Sequence, residues 1–178
     1  MKILLVRHGQ AVEEAPGLGD TGRWLTARGR KLTRKVARWL GKSGKRRPAR
    51  IWTSPLVRAV ETAEILAAEA GYRGEVEACG ELAPGRDPGE LIRRLAIASA
   101  DGPLALVGHE PSLSLIASAL LGVGVSSLKK SGVMGIDWDE GSGKLWFVLD
   151  PAVMKAEKSL PPPPAPASEG APEEPAGA

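Results

Sequence analysis

The chain contains two histidines, His8 and His109, and each follows an apolar run that reads as a buried strand. His8 lies in Arg7-His8-Gly9, behind Lys2 to Val6. His109 lies in Gly108-His109-Glu110-Pro111, behind Pro103 to Val107. A further strand, Arg50 to Thr53, is followed by Ser54-Pro55, with Arg58 in the next turn of helix. Ligands of open α/β sheets sit at the carboxyl ends of the strands. Two arginines and two histidines therefore occupy comparable positions in the layout. Each guanidinium offers a fork of donors matched to phosphate oxygens. A neutral imidazole is a competent nucleophile toward phosphorus, and neighbouring cations discourage its protonation. Gly9 lets the backbone approach a substrate closely. A helix starting at Pro55 would aim N–H groups at an anion. The chemistry that follows is phosphoryl transfer through a phosphohistidine intermediate, driven by positioning and charge stabilisation. Taken singly, a histidine after a strand is most simply structural, and Arg58 a salt-bridge partner. Arg-His-Gly arises by chance in roughly one chain in a hundred of this length. The four groups together are the signal.

The elements that must hold these groups are legible from period and punctuation. Arg7 to Arg23 reads as a loop broken by Pro16, Gly17, Gly19 and Gly22. Thr26 caps a helix to about Leu40, with Leu32, Val36, Trp39 and Leu40 on one face. Ser54-Pro55 reads as an N-cap and first helical position, opening a helix that stops at Gly71. Glu75 to Ala78 is a weak strand, and Asp87-Pro88 opens a helix to about Ala98. Ser112 to Leu121 is helical. Val133 to Asp137 and Lys144 to Leu149 form a hairpin across a turn-rich connection. Strands alternating with helices predict a three-layer α/β/α sandwich with a mostly parallel central sheet. Residues 1–150 form the expected domain. Residues 151–178, almost devoid of large apolar side chains from Pro161, read as a disordered Pro/Ala/Glu-rich tail.

The 178 residues suit one domain, with 43% hydrophobic and 25% charged residues. A single cysteine, Cys79, excludes an intrachain disulfide. The leading apolar run, Ile3 to Val6, is too short for a signal peptide or a membrane span. The expectation is a cytoplasmic protein with no membrane association. Twelve Lys and Arg residues and no acid fall between Thr21 and Arg50. The bland reading is a solvated helix face plus a loop. The sharper one is a cationic rim, with Arg34 and Arg38 among its members, that steers an acidic partner. Nucleic acid is not expected, since no recognition motif or aromatic stacking pattern accompanies the charge. Cys79 does not fit a thiol phosphatase loop, which needs arginine six residues on, where Gly85 stands. The two distant histidines and lone cysteine form no zinc pattern, and no cofactor or metal is expected. Nothing in the sequence fixes an oligomeric state.

Val6-Arg7-His8-Gly9-Gln10-Ala11, Leu25-Thr26-Ala27-Arg28-Gly29, Thr53-Ser54-Pro55-Leu56-Val57-Arg58-Ala59 with Thr62-Ala63, and Val107-Gly108-His109-Glu110-Pro111 resemble the successive motifs of the histidine phosphatase superfamily, which has the phosphoglycerate mutase-like fold. Their order and compactness resemble its SixA branch of phosphohistidine phosphatases, over Lys2 to about Leu149. The resemblance implies His8 as nucleophile, Arg7, Arg58 and His109 as the phosphate pocket, and no metal requirement. Glu81-Leu82 sits where the superfamily often carries its proton donor, after the third strand. A solvent-exposed loop glutamate is the other reading of Glu81. The implied substrate is phosphohistidine on a signalling or phosphotransfer protein. Two alternatives stay open: a small-molecule phosphomonoesterase or mutase, and a non-catalytic phosphate-binding module. Only 22 residues separate Arg58 from Glu81 and 27 separate Glu81 from His109, leaving little room for the inserted lid of a mutase.

Overall fold

The structure is a computed structural model, and residues 1–14, 17–98, 101–139 and 141–161 are described. Seven strands form one sheet: β1 (Lys2–Arg7), β2 (Arg50–Thr53), β3 (Val76–Ala78), β4 (Leu104–Gly108), β5 (Val133–Asp139), β6 (Ser142–Asp150) and β7 (Lys155–Glu157). Their order is β3-β2-β4-β1-β5-β6-β7. The helices are α1 (Ala27–Gly41), α2 (Val57–Ala70), α3 (Pro88–Ala96) and α4 (Ser112–Leu121), with a 3₁₀ turn at Gly80–Leu82.

Period-two alternation divides the core between the two faces of the sheet. Ile3, Leu5, Leu104 and Leu106 pack with Leu91 and Leu95 of α3 and with Leu113, Ile116 and Leu120 of α4. Leu4, Val6, Ala105 and Val107 point the other way, onto Val36 and Leu40 of α1 and Ala59, Ala63 and Leu66 of α2. β4 is buried along its whole length because both faces are covered. The result is the expected α/β/α sandwich, but its sheet is mixed. β3, β2, β4 and β1 run parallel, while β1–β5, β5–β6 and β6–β7 are antiparallel. The short connections between β5, β6 and β7 force antiparallel pairing, since a parallel return needs a crossover of a dozen residues or more.

Two expectations are corrected. The boundary at residue 150 falls too early. Lys155–Glu157 adds an antiparallel edge strand to β6, although all three of its residues are exposed and carry no buried pattern. Residues 162–178, the bulk of the expected tail, lie outside the described residues. The second correction concerns Ser54-Pro55. α2 begins at Val57, with Leu56 as an N-cap that makes no side-chain cap bond. The Ser54 side chain is buried; its Oγ accepts a long bond from Leu56 N–H (3.4 Å) and has a closer partner, distant in sequence, described below. Thr26 and Asp87 do cap as the sequence predicts, accepting from the amides of Gly29 and Gly89.

α1 and α2 lie side by side, and their facing charges pair. Arg30 meets Glu61, and Arg34 and Arg38 both meet Glu69. Glu69 of α2 thus offsets one of the two charges that Arg34 and Arg38 bring to the expected cationic rim. Among the described residues, no helix is long and apolar enough to cross a membrane.

Candidate active site

Three parallel strands end side by side, and their following residues converge. His8 N–H donates to the Gly108 carbonyl (3.0 Å), tying the end of β1 to the end of β4. Ser54 N–H donates to the Val107 carbonyl (2.9 Å), tying the end of β2 to β4. These bonds continue the sheet by one residue on each side and set His8 beside His109. The two imidazole rings are 5.0 Å apart, centroid to centroid, and tilted by 51°. Arg7 and Arg58 lie close enough to this pair for their charges to act on both rings.

His8 is 7% exposed. Its Nδ1 lies 2.7 Å from the Gly9 carbonyl oxygen. A carbonyl only accepts, so Nδ1 carries the proton and Nε2 keeps its lone pair. Burial, followed by the charges of Arg58, Arg7 and Lys130, pushes the His8 pKa down to about 4, against the raising influence of the Gly9 carbonyl. His109 is lowered to about 3, first by burial and then by His8 and Arg58. Its Nε2 lies 2.8 Å from Ser54 Oγ. At neutral pH both rings are uncharged.

The arginines are each held at one end. Arg7 Nη1 donates to the Leu128 carbonyl (2.6 Å). Arg58 Nη1 donates to the Asp20 backbone carbonyl (2.6 Å) and Nη2 to its carboxylate (2.9 Å). Arg7 Nε, Arg58 Nε and His109 Nδ1 are buried without a hydrogen-bond partner in the protein. A buried polar group with no partner costs about 1–3 kcal/mol. Three of the four such side-chain atoms among the described residues lie on residues picked out by sequence for phosphate; the fourth is Arg46 Nε.

The close-approach glycine works differently from expectation. A Cβ on Gly9 would stand 2.8 Å from Thr33 Oγ1 and 3.2 Å from Leu25. Neighbouring protein atoms demand glycine there. The Gly9 N–H donates to Thr62 Oγ1 (3.0 Å), and that hydroxyl donates to the Arg58 carbonyl (2.6 Å). Thr62 thereby fastens the loop after β1 to α2, one turn beyond Arg58.

Glu81 sits on the 3₁₀ turn after β3, at the same edge of the sheet; Cys79 N–H donates to the Thr53 carbonyl (2.8 Å) there. Arg94 Nη1 donates to both Glu81 oxygens at 3.1 Å. A bond to its own backbone N–H, with contributions from Cys79 and Arg94, holds the Glu81 carboxyl below its usual range. Cys79 is buried, and its thiol is pushed up to about 11 by desolvation and by Glu81. A thiol so held stays protonated and is a poor nucleophile.

Sequence reasoning passed over Ser54 as a partner of His109, Asp20 as a partner of Arg58, and Glu110. Glu110 Oε1 accepts from Leu128 N–H (2.8 Å), and Oε2 from Ser114 N–H (3.2 Å). It thereby fixes the segment whose carbonyl holds Arg7. Its place beside His109 was visible, but its target lies 18 residues away in sequence. Among the described residues, no three His, Cys, Asp or Glu side chains are grouped as metal ligands.

A model of the histidine phosphatase superfamily, branch 1, matches residues 3–83, which include His8, Arg58 and Glu81. An uncharacterized protein of Picosynechococcus sp. is 38% identical over 142 residues, covering 76% of this chain and 84% of that protein. Phosphohistidine phosphatase SixA of Escherichia coli is 27% identical over 164 residues, covering 90% and 100%. The solved structure of the protein histidine phosphatase SixA complexed with tungstate superposes with a TM-score of 0.77 at 26% identity, over 87% of this chain and all of that one. Fold, motif order and similarity agree: the chain belongs to branch 1 of the histidine phosphatase superfamily.

Proposed function

We propose that the protein is a phosphatase that removes the phosphoryl group from phosphohistidine on a signalling or phosphotransfer protein, with His8 as the covalent acceptor. The observation that carries this reading is the state of His8. Its Nδ1 proton is fixed on the Gly9 carbonyl, its Nε2 is free, and buried donors without protein partners surround it. Similarity to SixA proteins supports the phosphohistidine substrate.

In the proposed reaction the phosphoryl oxygens take up Arg7 Nε, Arg58 Nε and His109 Nδ1, so the proton of neutral His109 resides on Nδ1. His8 Nε2 attacks phosphorus while the bond to the leaving nitrogen breaks, and the proton on Nδ1 lets the ring carry the new bond as a cation. Water then attacks the phosphohistidine and releases inorganic phosphate. The arginines stabilise charge on the transferring oxygens throughout. An imidazole leaving group departs more readily than an alkoxide. Glu81 enters as the proton donor for poorer leaving groups, for which its pairing with Arg94 must loosen.

Between α2 and β4 the described residues form only β3, the 3₁₀ turn and α3, and α3 packs into the core through Leu91 and Leu95. A site without a covering insertion suits a phosphoryl group borne on a protein surface. The test is a side-by-side assay of the purified protein on a phosphorylated histidine-containing phosphotransfer domain and on a panel of small phosphoesters. The proposal expects kcat/KM to be highest on the protein substrate. Preference for a small ester would overturn the substrate, and no turnover of any would leave a phosphate-binding module.

A further inference from the structure

Asp20 places a carboxylate on the guanidinium that the phosphate pocket needs. Its Oδ2 lies 2.9 Å from Arg58 Nη2, and its Oδ1 lies 2.9 Å from Arg23 Nη1. Arg23 is itself anchored, since its Nε donates to the Val12 carbonyl (2.7 Å). The Arg58 side chain is only 6% exposed, whereas that of Asp20 is 45% exposed. The acid therefore reaches the buried arginine from the solvent side. Its field extends to the other pocket groups, because the negative charge of Asp20 raises the affinity of His109 for a proton. Glu81, by contrast, is held by Arg94, which is not a pocket residue.

The carboxylate is not needed to orient Arg58. The backbone carbonyl of Asp20 already accepts from Arg58 Nη1 at 2.6 Å, and any residue at position 20 would supply that oxygen. What the side chain adds is charge. The chain around it is also lightly held: Gly17 and Gly19 both adopt positive φ, and a Cβ at either would meet nothing within 4 Å. Glycine there gives the segment backbone freedom with no packing to oppose a shift.

We propose that Asp20 is a resident counter-anion of the phosphate pocket: its carboxylate neutralises Arg58 while the site is empty and competes with the incoming phosphoryl group. This rests on the reading of Arg58 as a phosphate ligand. Before binding, Arg7 and Arg58 carry two positive charges beside two uncharged imidazoles, and Asp20 offsets one of them. An incoming dianion displaces or faces that carboxylate. Asp20 thus weakens ground-state binding of substrate and of product phosphate alike, and so speeds phosphate release.

The experiment is calorimetric titration of the full chain with tungstate and, separately, with inorganic phosphate, for wild type, Asp20→Asn, Asp20→Ala and Arg23→Ala. Both Asp20 variants are expected to bind each oxyanion about fivefold tighter, the scale of one partly exposed ion pair. Inhibition by product phosphate should strengthen by the same factor. Arg23→Ala, which leaves the Asp20 carboxylate to Arg58 alone, should instead weaken binding of each oxyanion, and it carries the test if the Asp20 variants misfold by circular dichroism: unchanged or tighter binding in it would overturn the proposal. Unchanged or weaker binding in folded Asp20→Asn would overturn the proposal and make Asp20 an orienting residue. A folded wild type that binds neither oxyanion would instead sink the phosphate-pocket reading, and this inference with it.

Discussion

Two charged clusters flank the parallel half-sheet, one over β2 and β3 and one at its carboxyl edge, and they are built on opposite terms. In one, Glu77 accepts from Arg50, Arg94 and Trp52 Nε1, and Arg94 reaches on to Glu81 while lying 4.4 Å from the Trp52 ring centroid. Acids and bases there answer one another, and no polar atom of these side chains is buried without a partner. In the other, Arg7, Arg58 and His109 each leave a buried nitrogen unanswered, beside a His8 ring held neutral. Matched charge holds structure together; the unmatched buried donors beside His8 are those the proposed phosphoryl group would take up. The pocket accepts a stability cost that the Trp52 cluster avoids.

The sharpest test of this contrast is His8→Ala. It should lower kcat on the order of 10⁴-fold or more, with thermal unfolding unchanged or raised, and no acid-labile phosphoryl label on the protein after rapid mixing with substrate. Substantial residual turnover would remove His8 as nucleophile. Arg58→Ala comes next, with an expected loss of about 10²–10³ in kcat/KM, the scale of one transition-state donor. Arg94→Ala should show the reverse profile: a loss of stability of about 1 kcal/mol, the scale of its partly exposed pairs with Glu77 and Glu81, with kcat on phosphohistidine within severalfold of wild type. If Arg94→Ala cost as much activity as Arg58→Ala, the division between the clusters would collapse.

Acid should separate the clusters as well. His8 and His109 have folded-state pKa values near 4 and 3, below the ordinary 6.5. Below pH 6.5 the unfolded chain takes up protons that the folded chain refuses. Stability is therefore lost as pH falls from 6.5 toward 4 and then 3, by up to about 1.4 kcal/mol per pH unit for each ring. Urea unfolding at pH 7 and pH 5 should show this loss, and a His8→Asn, His109→Asn double variant should show much less of it. The smallest expected effect lies farthest from the pocket. Charge reversal at Arg34 and Arg38 breaks their pairs with Glu69, which are partly exposed and worth about 1 kcal/mol or less. Because Glu69 already offsets one of these two charges, kcat/KM on a phosphoprotein should change only about twofold. A severalfold fall reversed at high salt would restore the steering rim.

The correspondence between sequence and structure is uneven in an instructive way. Thr26 and Asp87 were legible as caps because a cap is decided within three residues of chain. Ser54 carries the same local signal, yet its hydroxyl meets His109, 55 residues away. Its local bond, from Leu56 N–H, is long at 3.4 Å, and the helix starts at Val57. β7 escaped notice because Lys155–Glu157 has no apolar alternation, and only the unpaired edge of β6 makes it a strand. Gly9 was rightly singled out, but its reason is Thr33 and Leu25.

The amino-acid sequence by itself determined the α/β class, the two-faced strands and the placing of Arg7, His8 and His109 at strand ends and of Arg58 at a helix start. These follow from apolar period and punctuation, which act over a few residues. Tertiary structure alone decided which groups are neutral, which donors are left without partners and which acids are spent. His8 is uncharged with its Nε2 lone pair available because the Gly9 carbonyl fixes the proton on Nδ1 and burial disfavours the charge. Arg58 meets Asp20, 38 residues away, and Arg7 is held from Leu128, 121 residues away. Pairing and desolvation depend on what the folded chain brings within a few ångströms, and no local pattern records that.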